Sequence, residues 1–414
     1  MSHLFRSIHG LLFVLLFIVI ATGQEPAKQI GLVRSLDSPA APGSAEPNLY
    51  AAPDGRVFLT WIEPAGSKGH RLQFAMRDGS SWSEPRTIAE GANFFVNWAD
   101  FPSLVALPDG PLVAHWLVKG SPDSHAYDIN VSRSSDTGKT WSKPILPHRD
   151  GTKSEHGFVS MLPWGRGRVA AIWLDGRNFK GGSPDGHGSS ANEMTLRYTT
   201  IDAKGKVSED MLLDSRVCDC CQTSAAITAD GAIVVYRDRS EKEIRDISLV
   251  RFHKGRWTEP RTLSVDDWEI HGCPVNGPTV SADGRQVAVA WFTAAKDVPR
   301  VNIIFSSDAG ATFSQPIQVD EGAPVGRVDV LMLADGSALI SWLERTPKGG
   351  EVKVRLVRPG GSRGQSITIA ESSAARASGF PQMARAGDEI IFAWTDPGTP
   401  SRIRTALGTF VQGK

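Results

Sequence analysis

Seven times along this chain an apolar run rises out of a tight turn and ends on a large aromatic: Trp61, Trp116, Trp173, Tyr236, Trp291, Trp342 and Trp394. The steps between them stay within 51 to 63 residues. Self-similarity at a period of this size marks a repeat architecture, in which each unit buries its faces against its neighbours.

The turns before the aromatics agree with that reading. Asp54-Gly55, Asp109-Gly110, Asp230-Gly231, Asp283-Gly284 and Asp335-Gly336 occupy equivalent places, with Gly165-Arg166-Gly167 and Ala386-Gly387-Asp388 in the other two units. Asp-Gly supplies the positive φ angles of a tight hairpin, so each unit opens with two antiparallel strands. A third β-like run follows each aromatic, as at Leu72 to Met76 and Val301 to Phe305, and a fourth follows Trp-x-x-Pro at Trp82, Trp141 and Trp257. Four antiparallel strands repeated radially make a propeller blade. The fold class expected is all-β, a seven-bladed β-propeller, with six blades as the alternative.

The last unit runs out of chain after three strands, whereas Gln29 to Leu36 is a spare strand similar to the fourth-strand segment Gln365 to Ala370. It is expected to complete the seventh blade and close the ring without an open edge. Residues 1–23 combine Arg6, an apolar stretch from Leu11 to Ile20 and small residues at Ala21-Thr22-Gly23. That pattern reads as a secretory signal peptide, so residues 24–414 are expected to form one propeller domain, secreted or periplasmic, with no membrane span after cleavage and a monomeric state. The whole chain balances 45 basic against 45 acidic residues, which gives no electrostatic case for nucleic acid.

Ser134-Ser135-Asp136-Thr137-Gly138-Lys139-Thr140-Trp141 and Ser306-Ser307-Asp308-Ala309-Gly310-Ala311-Thr312-Phe313 share the pattern Ser-x-Asp-x-Gly-x-Thr-aromatic between third and fourth strands. Short hydroxyl and carboxylate side chains there bond the turn backbone. On these residues the chain resembles the sialidase-like superfamily with its Asp-box (BNR) repeats. In that family the Asp-boxes are structural and lie on the face opposite the active site.

The loops leading into the first strands, and those between second and third strands, share the other face, and they collect nearly every unusual residue. They carry Asn97-Trp98-Ala99-Asp100, Glu155-His156-Gly157, Asp175-Gly176-Arg177, Glu193, Arg237-Asp238-Arg239 with Glu241 and Arg245, His271, Asn276 and Arg327. The long segment from Asn178 to Asn192, rich in Gly and Ser, reads either as a lid over the pocket or as a surface excursion. The sialidase resemblance implies an arginine clamp on a sugar carboxylate, a tyrosine nucleophile with a glutamate base, and an aspartate acid. Matched by loop position, the clamp is Arg177, Arg237 and Arg245, the nucleophile Tyr236, its base Glu193 or Glu241, and the acid Asp100 or Asp175. Asn97, Trp98, His156, Asp238, Arg239, Asn276 and Arg327 would contact the substrate. The implied activity is glycoside hydrolysis on an acidic sugar, and the implied partner a carbohydrate or other small polar ligand.

All four cysteines fall in two neighbouring loops, Cys218-x-Cys220-Cys221 and Cys273. Disulfides are the expectation in an exported chain. A soft metal site for copper or zinc, with His271 beside the thiolates and His156 across the pocket, is the alternative. A non-catalytic carbohydrate- or protein-binding propeller is the third reading.

Overall fold

A computed structural model describes residues 28–120, 126–179 and 193–412. The expected signal peptide and most of the Asn178–Asn192 segment lie outside the described residues. Among those described, no helix is long and apolar enough to cross a membrane.

Seven antiparallel sheets follow one another in chain order. Their first strands are Ala45–Ala51, Ser103–Ala106, His156–Pro163, Ser224–Thr228, Thr279–Asp283, Pro324–Met332 and Gln382–Ala386. Each touches the first strand of the next sheet, and Gln382–Ala386 touches Ala45–Ala51, so the seven blades close into a ring around a central channel. The seventh blade is finished by two short N-terminal strands, Lys28–Ile30 and Arg34–Leu36, both paired antiparallel with Arg402–Gln412. The expected closure therefore holds, with the spare segment broken into two pieces. Blade 2 departs from the four-strand expectation. Among the described residues it has three strands, and in place of a fourth the isolated bridge Val131 to Ile145. Pro144 and Pro147 flank Ile145 and offer no N–H, which limits the ladder there.

The periodic aromatics hold the blades together. Trp61, Trp173, Tyr236 and Trp291 have no exposed surface, and Trp342 has next to none. A buried indole N–H needs an acceptor. Trp61, Trp173 and Trp342 donate to the acid two residues on, Glu63 (2.8 Å), Asp175 (2.8 Å) and Glu344 (2.6 Å), while Trp291 donates to Asp266 (2.7 Å). Tyr236 instead donates to Asp214 of the preceding blade, at 2.6 Å, and so ties blade 3 to blade 4.

The Asp-box turns are built as their sequence implies. Gly138 N–H donates to Ser134 Oγ (2.8 Å), and Asp136 Oδ1 accepts the Thr140 N–H (2.9 Å); Gly310, Ser306, Thr312 and Asp308 repeat the arrangement. Ala309 N–H donates to Arg285 O in the hairpin beside Asp283-Gly284, which places Asp-boxes and Asp-Gly turns on one face.

Candidate functional site

On the opposite face a cavity of about 340 Å³ opens among the loops that lead into the first strands. Phe95, Trp98, Tyr127 and Phe158 supply apolar wall, Asn97 and Glu155 polar groups, Asp219, Cys220 and Cys273 the floor, and Arg376 the rim. The aromatics are held rigidly. Phe95 stacks on Tyr127 with centroids 4.0 Å apart, and Trp98 stacks on Phe380 at 5.8 Å. Asn97 Oδ1 accepts the Ala99 N–H at 2.9 Å and shapes the loop that presents Trp98.

Beside Glu155 on the cavity wall, further acids lie buried behind the lining. Asp100 lies buried behind Ala99; its Oδ1 accepts the Phe158 N–H at 2.8 Å, while its Oδ2 has no hydrogen-bond partner. Burial, reinforced by the Glu155 charge, pushes its pKa to about 8 despite that N–H. Glu46 is also buried near it, and burial followed by the Asp100 charge raises its pKa well above the ordinary value. The Tyr127 phenol is pushed up as well, by burial first and then by Asp100 and Glu155. Gly157 permits this crowding, because a Cβ there would stand 2.1 Å from Asp100 Oδ2 and 2.7 Å from the Tyr127 ring.

Behind Trp98 lies a cationic group without a counter-ion. Arg327 is 4% exposed, with its guanidinium over the Trp98 ring at 4.8 Å. Its Nη1 donates to Ser378 Oγ (2.6 Å) and to the carbonyls of Ala375 and Gly379, both at 3.0 Å. None of these acceptors is a carboxylate. Among the described residues no ion pair forms at Arg327, Arg345 or Arg376. Burial, then the repulsion of Arg345 and Arg376, lowers the Arg327 pKa to about 10. Asn276 fixes the loop by accepting the Arg327 N–H at 2.7 Å and donating to Val325 O at 3.3 Å.

The residues matched to the sialidase clamp are placed differently. Arg177 is committed to Asp175 (2.7 Å), Asp210 (2.9 Å) and Asp150 (3.0 Å). Arg237 is buried, donates to the carbonyls of Arg245, Asn276 and Phe292, and lies 4.8 Å over Trp268. Arg245 pairs with Glu243 (2.9 Å) and Asp219 (3.2 Å), and Arg239 with Glu243 (2.8 Å). Three of these four are buried and the fourth is tied to three acids, so each braces the loops. Tyr236 is fully buried, and burial with the Asp214 charge raises its pKa far beyond the range of a nucleophilic phenolate. Asp175 accepts from Trp173 and Arg177; against burial, the Arg177 hydrogen bonds and the His156 and Arg177 charges hold its pKa low and leave it no proton to give.

His156 is fully buried within blade 3, bonded to Asp150 at 3.0 Å and stacked on His148 at 3.8 Å, outside the cavity and away from the thiols. Asp238 accepts from Arg239 N–H and Ser248 Oγ behind the wall. Glu193 and Glu241 do not line the cavity, and His271 is exposed and paired with Glu269, so it is not a ligand in the cysteine cluster. Of the residues marked by loop position, Asn97 and Trp98 line the cavity, whereas Asp100, Asn276 and Arg327 lie behind its lining. Tyr127, Phe95 and Arg376 went unmarked in the sequence. Arg376 lies in the loop leading into blade 7, which carries no other cue than its place in the repeat.

The cysteines converge without linking. Cys218 Sγ stands 3.5 Å from Cys221 Sγ and 3.8 Å from Cys220 Sγ, well beyond the roughly 2.05 Å of a disulfide, and none of the four cysteines is disulfide-bonded. The expected disulfide staple is therefore not formed. Cys218, Cys220 and Cys221 are buried, and Cys273 is half-buried at the cavity floor.

Solved structures similar to the chain include a Dyadobacter fermentans protein of unknown function, 17% identical with a TM-score of 0.53, covering 93% of this chain and all of that one. The fold they share is a β-propeller. A puromycin hydrolase mutant is 14% identical with a TM-score of 0.51, over 88% of this chain and 52% of its own. The Trypanosoma rangeli sialidase is 12% identical with a TM-score of 0.49, over 91% and 59%. At these identities the likeness is one of fold. No family model and no curated protein matches the sequence.

Proposed function

We propose that the cavity binds a small anionic, hydroxyl-rich ligand of the acidic-sugar class, and that its carboxyl end protonates the glycosidic oxygen of a bound glycoside. The observation that carries this reading is the buried Arg327 without a carboxylate partner, set behind the cavity-lining Trp98, with Arg376 on the cavity rim and Arg345 as the other cation acting on it. A buried charge without a counter-ion is costly, and a ligand carboxylate supplies the missing one. Guanidinium forks match a carboxylate in two-point geometry. The aromatic walls offer the apolar face that a sugar ring covers, and Asn97 and Glu155 face its hydroxyls.

Asp100 supports the chemical half of the reading. A carboxyl held protonated near neutral pH is a competent acid, and Glu155 on the cavity wall lies within electrostatic reach of it. Calorimetric titration of the full chain with glucuronate, galacturonate and N-acetylneuraminate, beside their methyl esters, tests the binding half. The acids are expected to bind at least ~10-fold more tightly than the esters, since one good charge-assisted contact is worth that much. Equal affinities, or no binding by any acid, would refute it. Release of nitrophenol from nitrophenyl uronides and sialosides, lost in Asp100→Asn, tests the acid.

A further inference from the structure

The cysteine cluster is not absorbed by this reading, and it goes beyond it. We infer that Cys218, Cys220 and Cys221 form a binding site for one soft, thiophilic cation of the copper(I) or zinc(II) class, with Cys273 in place as a fourth ligand. Thiolates 2.3 Å from one ion stand about 3.8 Å apart in a tetrahedron and about 4 Å apart in a trigonal plane. The separations from Cys218, 3.8 Å to Cys220 and 3.5 Å to Cys221, match that spacing with little movement. All three sulfurs lie within 4.8 Å of one another, and Cys220 also belongs to a second such group with Asp219 and Cys273. Cys220 thus connects the buried trio to the half-buried thiol at the cavity floor, and the cavity is the route by which an ion reaches it.

Two guanidiniums stand beside the sulfurs, while burial raises the pKa of the Cys220 and Cys221 thiols. Arg245 Nη1 donates to Cys218 Sγ at 3.3 Å, and its charge and that of Arg237 act on Cys218 and Cys221. Both guanidiniums are 1% exposed, so their attraction for thiolate is little screened by water. Sulfur ligands in such a pocket select soft ions over magnesium or calcium. Binding breaks the S–H bond of each coordinating cysteine, forms a sulfur–metal bond, and passes the proton to solvent; no oxidant or reductant takes part.

The test is metal titration of the full chain, reduced and under nitrogen, after thiol counting gives four. Copper(I) is delivered against a bicinchoninate competitor and zinc against a chromophoric chelator, in separate arms. One equivalent per chain is expected in at least one arm, with affinity falling at least ~100-fold in the double variant Cys218→Ser/Cys221→Ser and by less in Cys273→Ser. Cobalt(II) substitution should give a thiolate-to-metal charge-transfer band that the double variant loses. Circular dichroism of metal-free variants separates lost ligation from lost folding, and Cys273→Ser, at the half-buried position, keeps the test alive should the double variant unfold. Four countable thiols with no metal held below micromolar concentration would overturn the site. So would stoichiometric binding that survives in a folded double variant, or weaker binding in Cys273→Ser than in that variant. The titrations are made without sugar, and neither Arg376 nor Arg327 takes part in ligation, so failure of this site and failure of sugar binding are read separately.

Discussion

Two arginine groups face the same side of this propeller and differ in one respect. In blades 3 and 4, Arg177, Arg239 and Arg245 each have carboxylate partners, and Arg237 is saturated by backbone carbonyls. In blades 6 and 7, Arg327 is equally buried yet lacks any counter-ion, and its electrostatic neighbours are two more arginines. The first group completes its electrostatics within the fold and acts as a brace. The second completes them only with something bound. Abundance of arginine therefore does not locate a site; unbalanced charge does.

The sharpest way to break this contrast is to remove one member from each side. Arg237→Ala orphans three buried carbonyls and opens space against Trp268, and should cost about 3 kcal/mol or more in urea unfolding. Arg376→Ala, at the exposed rim, should change stability by less than about 0.5 kcal/mol while weakening acid-sugar binding. If Arg237→Ala were neutral for stability and abolished binding, the assignment of the two groups would have to be exchanged.

A second prediction concerns pH. The Asp100 pKa is raised from its ordinary value to about 8, so the folded chain holds a proton that the unfolded chain releases. That contribution to stability is complete below about pH 4 and is lost as pH rises toward 8. The wild type should therefore lose stability between pH 5 and 8 relative to Asp100→Asn, by an amount on the order of a few kcal/mol. Parallel pH profiles from chemical unfolding would show it, and superimposable curves would place Asp100 elsewhere than in a buried, protonated state.

Smaller effects should follow at Tyr236. Removal of its hydroxyl in Tyr236→Phe takes away a buried donor to Asp214 and should cost about 1–2 kcal/mol, with binding and turnover unchanged. A Tyr236→Phe protein that folds normally but loses turnover would restore the nucleophile implied by the sialidase resemblance.

The blade count, the ring closure and the face bearing the cavity were legible in the aromatics, the Asp-Gly turns and the spare N-terminal strand, because strand period and turn chemistry are local. Arginine roles were not. Arg237 and Arg327 look alike in sequence, each in a loop of the right face, and only the third dimension supplies carbonyls to one and further cations to the other. Likewise Tyr127, on the second blade's third strand, gave no cue of its own, since its place beside Asp100 depends on how blades 2 and 3 meet at Gly157. His271 shows the converse: two residues from Cys273 in sequence, it turns outward to Glu269.

The central claim is that the uncompensated arginines hold the ligand. It is tested most directly by calorimetric titration of one acidic sugar, glucuronate or whichever acid binds best, into wild type, Arg376→Ala and Arg239→Ala under identical conditions. Binding should be at least ~10-fold weaker in Arg376→Ala and of unchanged affinity in a folded Arg239→Ala. Undiminished binding in Arg376→Ala, with loss in Arg239→Ala, would contradict it.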